Sequence, residues 1–119
     1  MCTDQILSKL TYGLVDLGYK ISFSKDYSEY IIKADTSFKL WDMPSNWEGI
    51  LHINQDNKII LTIITNNFFR NIPSKGLLDD INKLGCTTSL KHSIPSRSKL
   101  SVSYFHRWLE IYEVYDDIS

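Results

Sequence analysis

The residues that could do chemistry fall in two stretches, one basic and histidine-bearing, the other acidic and rich in tryptophan. In the first, His92 and His106 flank Arg97 and Lys99. Cleaving RNA through its own 2′-hydroxyl needs a base, an acid and a cation for the charge that builds on phosphorus. Those side chains supply the three types. With Lys91 and Arg107 they make residues 86–107 a basic segment able to hold phosphates electrostatically, and Ser93, Ser96, Ser98 and Ser101 add hydroxyls. Nucleic-acid binders normally show a larger basic excess. No spacing rule ties the two histidines together, and a hydrogen-bonded structural histidine is the plainer reading of each. A nucleic-acid-binding protein, or a small metal-independent ribonuclease, is therefore the alternative expectation.

The second stretch runs Trp41-Asp42-Met43-Pro44-Ser45-Asn46-Trp47-Glu48. Tryptophan anchors interfaces because it offers large, stiff contact area at small entropic cost. Asp42 and Glu48 would give such an anchor an acidic rim suited to a basic protein. Phe68-Phe69, after Asn66-Asn67, has the same character. The competing reading is that one or both tryptophans fold back over the core.

Other chemistries lack their signatures. There is no GxGxxG or GxxxxGK[ST] for nucleotides, and no HExxH or CxxC to close a metal site. No serine sits in a nucleophile elbow. Cys2 and Cys86 read as ordinary thiols that pack as small hydrophobes. Neither a catalytic set, a cofactor nor a metal is expected.

Those two stretches must be held by a framework, and the composition permits one. The 119 residues are 43% hydrophobic and 13% aromatic, which disfavours disorder and fits a single domain with its own core. The formal net charge of −1 conceals segregation: −2 over residues 1–69, +5 over 70–107 and −4 over 108–119. Opposite blocks can neutralise each other across a fold. The N-terminal residues do not resemble a secretory signal, and no apolar run approaches the ~20 residues of a membrane span. A cytoplasmic protein is expected.

Leucines and isoleucine at 6, 7, 10, 14 and 17 predict an amphipathic helix over 4–17, capped by Thr3 or Asp4 and stopped by a left-handed Gly18. Lys20–Ser24 and Glu29–Ala34 predict a hairpin, and Ser37–Trp41 a further strand. A loop over 42–49 follows. Gly49–Asn54 and Lys58–Thr65 predict a second hairpin around Gln55-Asp56-Asn57, its second strand apolar on both faces. A second helix is predicted over 74–84, capped by Ser74 with Pro73 outside the cap and Gly85 as its stop. Cys86–Ile94 and Lys99–Tyr104 read as strands. The tail fits a helix over 105–115 through Phe105, Trp108, Leu109, Tyr112 and Tyr115. It also fits a strand through Trp108, Tyr112 and Val114, although Glu110 interrupts that face.

The predicted class is α+β, a single domain with a mostly antiparallel sheet of about five to seven strands and helices on one face. The opening helix, three strands and helix occur also in double-stranded-RNA-binding domains and secretion chaperones. This chain lacks the lysine cluster of the former and the acidity of the latter. The functional expectation is a non-enzymatic protein-binding inhibitor of bacterial or phage type. Such a protein would act as an immunity protein occluding a basic toxin or nuclease, or as an anti-defence inhibitor. A third reading is a homo-oligomeric scaffold joined through the doubly apolar strand.

Overall fold

The computed structural model describes residues 3–25, 28–33, 47–66, 72–96 and 107–117. The first helix, α1 (Thr3–Asp16), buries Leu7, Leu10 and Leu14, the heart of the predicted stripe, while Leu17 is exposed beyond its end. Its stop is a Schellman motif. Gly18 takes φ 103°, its N–H donates to Val15 O at 3.0 Å, and Tyr19 N–H reaches back to Leu14 O at 3.0 Å. Only glycine adopts that φ without strain.

Two hairpins follow. β1 (Lys20–Ser24) and β2 (Glu29–Lys33) pair antiparallel, with Phe23 opposite Tyr30 and their ring centroids 4.9 Å apart. β3 (Trp47–Ile53) and β4 (Ile59–Asn66) close around an Asx turn. Asn54 Oδ1 accepts both Asp56 N–H and Lys58 N–H at 3.0 Å, and Asn57 sits at φ 60°. β3 starts two residues earlier than its sequence pattern predicts. Trp47 and Glu48 belong to the strand, opposite Thr65 and Ile64, rather than to the preceding loop. The predicted strand Ser37–Trp41 and most of that loop lie outside the described residues, as does Lys99–Tyr104.

α2 (Ile72–Lys83) begins before its predicted cap, so Pro73 lies inside the first turn. A proline is tolerated there because the first N–H groups have no helical partner. It ends at Gly85, φ 85°, whose N–H donates to Asn82 O at 3.0 Å. α1 approaches it at Gly13, where a Cβ would stand 2.6 Å from Leu84 Cδ2. The Leu84 side chain, just past the end of α2, fills the space that a side chain at position 13 would take.

β5 (Cys86–Ser96) and β6 (Arg107–Asp116) complete one antiparallel sheet of order β1-β2-β3-β4-β6-β5. The α+β class holds. The helix expected over 105–115 does not: residues 107–116 are a strand between β4 and β5. Aromatic and β-branched side chains suit a pleated surface, and the acid that interrupts the face finds a local partner for one of its oxygens. Tyr112 donates its hydroxyl to Glu110 Oε2 at 2.5 Å, two residues along the same face.

Directly paired residues share a face, so the register assigns sides. Ile32, Leu51, Ile59, Leu61, Ile63, Tyr112, Val114 and Cys86 face the helices and join Leu7, Leu10, Leu14, Leu77 and Ile81 in one core. Both helices commit their buried side chains to that core. Among the described residues, neither covers the opposite face.

Candidate functional site

β6 carries the ionisable groups that the fold arranges most deliberately. Its run Glu110-Ile111-Tyr112-Glu113-Val114-Tyr115 repeats a glutamate with a tyrosine two residues later, once on each side of the sheet. Glu110 lies on the helix side opposite Ile63 and Ser93, 7% exposed. Its Oε2 accepts the Tyr112 hydroxyl, and its Oε1 is buried without a hydrogen-bond partner. Burial, and then that hydrogen bond, push the Tyr112 phenol well above its ordinary value.

Glu113 occupies the open face. Tyr115 donates a hydrogen bond to its carboxylate, Lys58 Nζ stands 3.1 Å from Oε1 and Lys91 Nζ 3.5 Å from Oε2. The Tyr115 bond first, then the two lysines, hold the carboxyl below its ordinary value. Lys58 is correspondingly raised, chiefly through its bond to Glu113. Lys91 arrives there through a β-bulge. Leu90 pairs with Tyr112 and His92 with Ile111, leaving Lys91 as the extra residue.

That geometry bears on the basic segment. Lys91 is ion-paired with a member of the C-terminal acidic block, the cross-fold neutralisation that the charge segregation allows. His92 is exposed at the sheet edge beside it. Arg107 opens β6, paired with Ser96 and Asn66. Arg97, Lys99 and His106 lie outside the described residues.

Of the aromatic set, Trp41, Asp42, Phe68 and Phe69 lie outside the described residues. Trp47 and Glu48 open β3, and Glu48 is half-buried opposite Ile64 on the open face. Trp47, Thr65, Trp108 and Pro95 form one backbone row across β3, β4, β6 and β5, and Asn66, Arg107 and Ser96 form the next. Lys33 ends β2 at the same side. Segments 34–46 and 97–106 therefore leave and re-enter the described structure at, or next to, one end of the sheet, and segment 67–71 leaves it there.

Sequence reasoning gave Glu110, Glu113 and Asp80 no site role. Asp80 accepts the Tyr19 hydroxyl at 2.5 Å and lies 3.7 Å from Lys83 Nζ, so it ties α2 to the residue that precedes β1. The doubled glutamate–tyrosine spacing was the available signal for the first two. Cys86 is a free, buried thiol whose pKa burial raises. Among the described residues, no three His, Cys, Asp or Glu side chains gather as a metal site, and no helix is long and apolar enough to cross a membrane. No protein-family profile matches this chain, and neither does any curated protein or solved structure.

Proposed function

We propose that the chain is a non-enzymatic protein-binding inhibitor that docks through the end of the sheet where segments 34–46 and 67–71 attach. The supporting observation is topological. Trp47 and Glu48 at the start of β3 and Asn66 at the end of β4 stand side by side, which tethers Trp41, Asp42, Phe68 and Phe69 to the same end. Four aromatics and two carboxylates on neighbouring tethers make an anchor with an acidic rim. The basic segment is tethered on the far side of β4, at β6 and β5. A cationic partner, such as a nuclease toxin or a host defence nuclease, is thus received on the β3 side, and inhibition is steric occlusion.

The test is a pull-down from the native host with the wild type and the Trp41→Ala/Trp47→Ala double variant, followed by a binding titration of both against the basic nuclease that the wild type retains. Circular dichroism confirms that both are folded. The reading expects the double variant to lose at least about a hundredfold in affinity, the scale of two hot-spot anchors. Undiminished binding by the double variant overturns it. Retention of RNA or DNA in a gel shift at low salt would favour the basic segment instead.

A further inference from the structure

The sheet face turned away from the helices is apolar across its middle. Ile31 on β2, Ile50 on β3, Ile60 and Ile64 on β4 and Leu109 and Ile111 on β6 are each half-buried, and Ile94 on β5 is 47% exposed. None of them belongs to the helix-side core or packs against it. Thr62 and His52 lie among them, and His52 Nδ1 is buried without a hydrogen-bond partner. Aliphatic area of this kind marks an interaction surface.

We propose that a second copy of this chain covers it, the two open faces packing about a two-fold axis that crosses the strands. The axis follows the row Ser22, Ile31, Ile50, Thr62, Ile111 and His92, so each of these positions faces its own counterpart. Charge pattern selects a second copy over another occupant. On β2, Glu29 and Lys33 stand two residues either side of Ile31. The two-fold exchanges them, setting Lys33 of one copy against Glu29 of the other. On β3, Glu48 and His52 flank Ile50 in the same way and exchange carboxylate for imidazole. On β4, Ile60 and Ile64 exchange apolar for apolar.

Three adjacent strands thus carry a pattern complementary to its own inverse, the requirement of an isologous interface. β6 and β5 depart from it, with Leu109 meeting Glu113 and Ile94 meeting the Ser89 position, but Glu113 already holds Tyr115, Lys58 and Lys91 within its own chain. Five strands about 4.8 Å apart and five residues of about 3.3 Å give a footprint near 400 Å² per copy. That is small for a specific interface, so the dimer is reversible and concentration-dependent. This inference does not rest on the docking end proposed above.

Sedimentation equilibrium from low-micromolar to near-millimolar protein tests it. The wild type is expected to pass from monomer to dimer. Ile50→Lys sets two like charges against each other on the axis and is expected to abolish the dimer at unchanged helix and sheet content. Should Ile50→Lys fail to fold, the charged pair at the two ends of β2 decides. Lys33→Glu and Glu29→Lys are each expected to weaken association about tenfold, and the double exchange to restore it. A wild type that stays monomeric throughout, or single reversals that the double exchange does not rescue, overturns the proposal. Trp41→Ala/Trp47→Ala is expected to dimerise normally, which separates failure here from failure of the docking end.

Discussion

Glu110 and Glu113 stand on one strand, three residues apart, and each accepts a hydroxyl from the tyrosine two residues further on. They differ in what lies around that shared bond. Glu113, on the open face, is met by Lys58 and Lys91 as well as by Tyr115. Glu110, on the helix side, has Tyr112 and, among the described residues, no cation. One tyrosine bond is thus redundant where cations share the carboxylate, and indispensable where the surroundings are the core. A hydroxyl aimed at a buried carboxyl group makes an acid tolerable in a hydrophobic layer, but leaves it one substitution away from isolation.

The largest expected effect breaks the weaker partnership. Tyr112→Phe strips the hydrogen bond from Glu110 and leaves both its oxygens unpaired in the core. A loss of about 2 kcal/mol in urea denaturation is expected. Glu110→Leu combined with Tyr112→Phe removes the polar group along with its donor and should be less damaging than Tyr112→Phe alone. If the double variant is the worse of the two, Glu110 is not an isolated acid.

The smaller effect probes the redundant side. Glu113 titrates in the folded chain below its ordinary value, so its contribution is present above about pH 4.5 and drains away as pH falls through the lowered folded value. Lys58 is raised, so its share is present below its ordinary value of 10.5 and fades as pH climbs through the higher folded value. Melting temperatures between pH 7 and pH 2 should show a shallower acid decline in Lys58→Met/Lys91→Met than in the wild type. Either single change should have little effect at neutral pH, because the other lysine and Tyr115 remain. An unaltered acid slope in the double variant would separate the lysines from Glu113.

The same contrast explains what could be read in the amino-acid order. α1 with its Gly18 stop and the hairpin around Asn54–Lys58 were legible because their signals are local. Leucine spacing, a left-handed glycine and an asparagine turn act within a few residues. β6 was not, because Phe105, Trp108, Leu109, Tyr112 and Tyr115 match a helical period, although the strand holds the last four of them. Glu110 argued against the strand until the Tyr112 hydroxyl was placed beside it. Lys91 meets Glu113 across β5 and β6, a contact between opposite charge blocks that composition allows without assigning partners. The tryptophan stretch was legible only as a set of residue types. Structure adds the common end to which its flanks attach and moves Trp47 and Glu48 from loop to strand.

The bulge at Lys91 has a consequence for the length of the chain. Ahead of it, Cys86, Thr88 and Leu90 face the helices, whereas beyond it Ser93 does so and Ile94 turns outward. The strand therefore changes phase at one residue that pairs with nothing across the ladder. Loss of Lys91 would leave every other pair in β5 with its present partner, at the cost of one ion pair to Glu113. Loss of any single residue from 87 to 90 would shift its neighbours out of phase with β6 and exchange helix-facing for outward-facing positions. Codon 91 is the place in this strand where the gene can shorten without rewriting its reading of inside and outside.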